Sequence, residues 1–74
     1  MNEKIIKILD DEDYVTLNVA LKLSGLISTG GQAKFFLQEN DVLVNEMKET
    51  RRGRKLYPGD VVICQKTKIY IQKP

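Results

Sequence analysis

Four cationic side chains crowd into the hexapeptide 50–55, TRRGRK: Arg51, Arg52, Arg54 and Lys55. Three guanidinium forks and one ammonium around a glycine suit phosphate. The fork donates parallel hydrogen bonds, and the ammonium is a mobile point charge. A second anion-seeking stretch lies upstream, 27-ISTGGQAK-34. Hydroxyls and two glycines ahead of a helical stripe leave the first helix amides uncovered, and such amides attract an anion. The same glycines equally suit a close helix–helix contact that excludes side chains, and the two readings are compatible. Lys34 and Gln32 belong to this stretch, Thr29 opens it, and Lys22 extends the patch if two helices lie side by side. The candidate surface is therefore Lys22, Thr29, Gln32, Lys34, Arg51, Arg52, Arg54 and Lys55. Its chemistry is a grip on a nucleic-acid backbone, with contacts that fix position more than sequence. Tyr57 offers a stacking face for an exposed base, or else serves as a core or turn residue beside Pro58.

Bond-making chemistry finds little support. The chain has no histidine, so Ser/His and Cys/His pairs are absent. The single cysteine, Cys64, lies among valines and isoleucine in a strand-like run, where a thiol is a buried structural group. It rules out an internal disulfide, and a zinc site lacks ligands. The acids 10-DDED-13 follow one another and point to water rather than converging on a cation. Gly30-Gly31 lacks the Gly-Lys-Ser/Thr ending of a nucleotide loop. A non-enzymatic protein without cofactor or metal is expected.

Charge is distributed unevenly. Residues 1–15 hold two lysines against five acids, residues 16–41 balance, and residues 42–74 hold eight Lys/Arg against three acids, a net of +5 for that segment. Such asymmetry draws an anionic partner to one side, although a solvated basic surface would look the same. With 74 residues, 42% apolar and 30% charged, the chain is sized and composed for one globular domain. No run is long enough for a membrane span, and the N-terminal lysines alternate with isoleucines, unlike a signal peptide. A cytoplasmic, unprocessed chain is the expectation.

The elements that must hold these groups read as follows. Residues 3–9 form a half-buried edge strand, and 10–13 a solvated linker that can lend an acid to the next helix. Thr16 caps a helix over about 17–24, with Leu17, Ala20, Leu21 and Ser24 on one stripe, Leu17 and Leu21 as its anchors, and Gly25 just past its end. Ser28 or Thr29 caps a second helix over about 30–39, with Thr29 and Gln32 spaced as a capping box. Ala33, Phe36 and Leu37 make its apolar stripe. At Val42 the period shortens to two. A strand at 42–44, a turn at Asn45-Glu46 and a returning strand at 47–49 lead into the basic loop 50–55. Pro58-Gly59 suits a type II turn. Strands follow at 61–66 and 69–73 around a turn at Thr67-Lys68. The terminal strands pair with each other or with the central hairpin.

Taken in order, Leu17, Leu21, Gly25-Leu26, Thr29, Gln32-Ala33-Lys34, Leu37, Val42, Val44-Asn45 and Pro58-Gly59-Asp60-Val61 resemble the small RNA-binding domain family typified by ribosomal small-subunit protein four. The pieces GL-x-x-T-x-x-QAK, V-x-VN and PGDV are specific as an ordered set, and the match covers about residues 15–63. In overall length the chain is similar to the stand-alone bacterial YaaA-like members rather than to domains appended to enzymes. The resemblance implies an α+β fold with two short packed helices against a small antiparallel sheet, an alpha-L-type RNA-binding motif, and terminal strands added. It implies binding of structured RNA through the second helix and following loops. Stand-alone relatives act on ribosomes or large-subunit particles, so ribosomal or transfer RNA is the implied partner. The family often places Ser-Arg before its second helix. Here the pair is Thr29-Gly30, without the arginine. A further basic position falls on Lys34, and the usual Asn-Gly turn is Asn45-Glu46. The run 50-TRRGRKLYPGD-60, richer in base than many members, is expected to compensate.

The reading is thus one domain that grips structured RNA by phosphate charge and groove shape, since the deep major groove of duplex RNA hides its base edges. Two rivals remain: a DNA-binding module, and a protein-interaction domain using the edge at 3–9 or 69–73, on the ribosome or in a homodimer.

Overall fold

The two strands at the chain ends find each other. In the computed structural model, which describes residues 2–74, β1 (Asn2–Lys7) lies beside β7 (Thr67–Gln72), with Ile5 opposite Tyr70 and Ile6 opposite Ile71. They run parallel. Parallel neighbours need a long crossover, and here every other element of the chain lies between them. The remaining strands are antiparallel: β6 (Val61–Cys64) on β7, β3 (Leu43–Val44) on β6, and β4 (Met47–Lys48) at the far edge, in the order β1-β7-β6-β3-β4. The α+β class stands, but the sheet is mixed rather than wholly antiparallel, because β7 returns beside β1 in the same direction after the crossover.

Two-residue turns close both hairpins, and both central residues of each have positive φ: Asn45 (51°) and Glu46 (71°), then Gln65 (50°) and Lys66 (64°). Positive φ at both positions is the type I′ form, whose twist matches the right-handed twist of the flanking strands. The second turn falls at 65–66, not at Thr67-Lys68. Thr67 is buried in β7 and paired with Cys64, so the strand begins earlier than its polar residues suggest. The first turn is tied to the Pro58-Gly59 turn. Asn45 Nδ2 donates to Asp60 Oδ1 at 2.9 Å, Val61 N–H donates to Asn45 Oδ1 at 3.0 Å, and Tyr57 N–H donates to Asp60 Oδ2 at 2.8 Å. The V-x-VN and PGDV pieces are therefore one hydrogen-bonded corner.

Helix α1 (Leu17–Leu23) starts at Thr16, whose hydroxyl accepts from Val19 N–H at 3.3 Å. It ends in a Schellman turn: Leu26 N–H reaches Leu21 O, Gly25 N–H reaches Lys22 O, and Gly25 sits at φ +85°. A seven-residue helix does not survive alone. Leu17, Ala20 and Leu21 bury it against the sheet. The second helical segment begins as a short 3₁₀ turn, Gly30–Gln32, and becomes α2 (Ala33–Glu39), held by Ala33 and Leu37. The two glycines, poor α-helix formers, lie in that tighter opening turn. Ile6, Ile8, Val42, Val44, Val62, Cys64, Ile69 and Ile71 complete the core from the sheet side. Each fully buried aliphatic side chain among them contributes about 1.5–3 kcal/mol. Cys64 is part of that core, and its burial pushes the thiol above its ordinary range.

A second, two-stranded ribbon lies ahead of α1. Within it β2 (Val15–Thr16) pairs antiparallel with β5 (Lys55–Leu56). No acid stands in the first turn of α1, because β2 separates residues 10–13 from the helix. Among the described residues, no helix is long and apolar enough to cross a membrane.

Candidate nucleic-acid interface

The basic loop is built around a buried carboxylate. Glu49, just past β4, is only 6% exposed in the midst of arginines. Its Oε2 accepts from the Thr50 and Arg51 N–H groups at 3.0 and 3.1 Å and from Arg51 Nε at 3.1 Å. Its Oε1 accepts from Arg51 Nη2 at 3.1 Å and Arg54 Nη1 at 2.8 Å. Five donors leave the oxygens fully engaged, as burying a carboxylate requires. They hold its pKa down to about 2, the Arg51 side-chain hydrogen bonds being the largest cause. The loop is thereby fixed in one shape.

That shape is docked onto α1. Leu17 N–H donates to Arg54 O at 2.8 Å and Asn18 N–H to Arg52 O at 2.9 Å. The first amides of a helix have no partner within it, and here loop carbonyls supply one. The side chain of Asn18 meets the other candidate stretch. A Cβ built on Gly30 would stand 3.3 Å from Asn18 Nδ2. Gly30 thus serves the close helix–helix contact. The arginine loop and the start of the second helical segment both lie against the first turn of α1.

The candidate residues occupy this region in different states. Lys22 is exposed, one helical turn beyond Asn18 on the same stripe of α1. Lys34 is exposed in the first turn of α2, four residues past Gly30. Arg52 and Lys55 are exposed in the loop. Among the described residues none of these four enters an ion pair. Arg51 and Arg54 differ. Both are paired with Glu49, Arg51 with its side chain still 73% exposed and Arg54 half-buried. They are scaffold as well as charge. Gln32 turns its carboxamide oxygen back to the Ser28 and Thr29 N–H groups at 2.6 and 3.1 Å, closing the expected capping box. Two donors at that helix start are therefore covered. Thr29 itself is exposed. The acids of residues 10–13 are exposed and, among the described residues, pair with none of the cations.

Glu49 and Asn18 are the residues that sequence reasoning missed. For Glu49 the signal was its placement, an acid two residues before Arg51 and five before Arg54. For Asn18 it was a polar residue following Leu17 in the first turn of a short helix.

Comparison with known proteins sets this geometry in a family. The S4 domain family matches residues 6–72, wider than the stretch 15–63. The chain is also 56% identical over 52 residues to the "Probable ribosome maturation protein RlbA" of Bacillus subtilis (strain 168), covering 70% of this chain and 73% of that one. No solved structure matches. With nearly its whole length matched, the chain belongs to the S4 domain family.

Proposed function

We propose that this S4 domain binds structured RNA, ribosomal or transfer, without catalysing a reaction, and that it acts on ribosomal particles during their maturation. One observation carries the reading: Asn18 donates its N–H to the basic loop at Arg52 O, and its side chain lies close against Gly30. The free cations Arg52, Lys55, Lys34 and Lys22 then share one neighbourhood around α1. Membership of the S4 family and the name of the Bacillus relative support RNA on the ribosome over other anions. Arg51 and Arg54 supply shape, and the free cations supply most of the counterion release.

The test is the affinity for a hairpin RNA followed by fluorescence anisotropy across a salt series. Log K falls linearly with log salt, and Arg52→Ala or Lys34→Ala each reduces the slope by about one. Unaltered affinity and slope in both variants would refute the placement. Equal competition by duplex DNA would favour the DNA-binding alternative.

A second reading, contact with another copy of the chain, is favoured by the edge of β1. Asn2 and Ile8 donate their N–H groups to Lys66 O and Gln72 O. The even positions therefore face β7, and Glu3, Ile5 and Lys7 turn their backbone groups to the free edge. An antiparallel copy centred on Ile5 sets Glu3 against the other copy's lysine at position 7. Sedimentation equilibrium tests it: Glu3→Lys weakens association and the added Lys7→Glu restores it, whereas a monomer at all concentrations rejects it.

A further inference from the structure

The β2–β5 ribbon has two unlike faces. Val15 lies opposite Leu56, and Thr16 opposite Lys55. Leu56 is fully buried and Val15 packs on the core. Alternation along both strands then turns Tyr14, Thr16, Lys55 and Tyr57 to the other side. That side carries an aromatic pair in a chain with only five aromatic residues. The rings of Tyr14 and Tyr57 are 5.8 Å apart and tilted by 53°, and Lys55 Nζ stands 5.0 Å from the Tyr14 centroid. Tyr57 remains 47% exposed. Beside its ring opens a groove of about 460 Å³ lined by Arg51, Gly53, Arg54, Lys55 and Tyr57.

An aromatic side chain left half-exposed next to a cationic groove is a poor way to stabilise a fold. It is a good way to hold a group that is flat on one side and anionic on the other. We propose that this groove seats one unpaired nucleotide, a bulged or overhanging residue of the bound RNA, its base stacked on Tyr57 and its phosphate on Lys55 and the outward side of Arg51. Gly53 and Arg54 complete the lining, and Glu49 holds the Arg54 guanidinium in place. A duplex end or bulge delivers such a nucleotide beside a continuous helix, and the ribbon runs directly into α1, where the duplex backbone is held. Stacking needs no particular base, because every base has a π-face. The seat recognises the presence of an unpaired nucleotide rather than its identity. This inference rests on the RNA-binding reading above and adds the form of RNA preferred.

The experiment uses the full chain and two hairpins of equal length. One has a continuous stem, and the other has a single bulged 2-aminopurine in the stem. The bulged RNA binds roughly five- to a hundredfold more tightly, and its 2-aminopurine fluorescence is quenched on binding. Tyr57→Phe keeps both effects. Tyr57→Ala brings the ratio of the two affinities close to one and removes the quenching, while a thermal unfolding curve confirms that the variant is folded. Equal binding of the two RNAs by the wild-type chain, or a ratio untouched by Tyr57→Ala, overturns the nucleotide seat and leaves RNA binding standing. Failure to bind either RNA overturns both.

Discussion

Glu49 and Arg54 meet at 2.8 Å, the carboxylate nearly hidden and the guanidinium half-exposed. The contact makes the basic loop a fixed object rather than a cluster of mobile charges. Fixing the loop beforehand reduces the ordering that binding must otherwise impose. The corresponding variant is Glu49→Gln, which keeps the volume and removes the charge. It is expected to raise the amide exchange rates of residues 50–55 and to weaken RNA binding several-fold, even though it makes the protein more positive. Tighter binding would mean that the added net charge outweighs the loss of loop order.

The same carboxylate predicts a pH dependence. Its pKa is depressed in the fold to about 2, from an ordinary value of 4.5. A depressed carboxylate contributes stability that is fully present above its unfolded pKa and is lost as pH falls through the folded one. The contribution therefore declines between about pH 4.5 and pH 2. Thermal unfolding followed across that window is expected to show a fall in midpoint that is steeper for the wild type than for Glu49→Gln. Parallel curves would show that Glu49 is not the titrating group.

Gly30 is tested by adding a side chain. A Cβ there already meets Asn18 Nδ2 at 3.3 Å, so a larger group must displace Asn18 or the 3₁₀ turn. Gly30→Leu is expected to destabilise by about 1–3 kcal/mol, the usual effect of overpacking, measured by urea unfolding. Because Asn18 also donates its N–H to Arg52 O, the loop amides should shift in an NMR spectrum of the variant. A spectrum perturbed only near residue 30 would break the proposed link.

Much of this arrangement could be read before the fold was known, where it depends on neighbours in the chain. The Thr16 cap, the Gly25 helix end, the Thr29–Gln32 capping box and the Pro58-Gly59 turn are all local chemistry, and each appears as expected. What escaped is long-range or disguised. Gln65-Lys66 adopts a turn usually reserved for Asn-Gly types, since strand pairing on both sides imposes it. Pairing of the terminal strands with each other is one of the two arrangements the sequence offers, but the parallel direction of β1 on β7, across more than sixty positions, is not legible in it. The ribbon β2–β5 was hidden within segments that looked like linker and loop. At the candidate site, clustered cations announced a phosphate grip, and the spacing of Glu49 before Arg51 and Arg54 hints at pairing, but that spacing alone does not say that the acid is buried. Arg51 and Arg54 therefore looked as free as Arg52.

Helix α1, on which the proposed patch rests, is short, so its ends matter. Gly25 sits at φ +85°, and a Cβ added there would meet no atom within 4 Å, so Gly25→Ala isolates the backbone contribution. A left-handed conformation costs an L-residue about 1–2 kcal/mol. Thr16→Ala, which removes the cap, is expected to cost about 1 kcal/mol. Urea midpoints measure both. No loss from Gly25→Ala would mean that the helix end rearranges.

The most direct measurement of the shared patch is a titration of the isotopically labelled chain with hairpin RNA, read amide by amide. Shifts are expected at Asn18 and Lys22, at Gly30 to Lys34 and at Arg51 to Lys55, growing together with one affinity. Shifts confined to β1 and the open side of the sheet, with the loop and α1 unmoved, would contradict it.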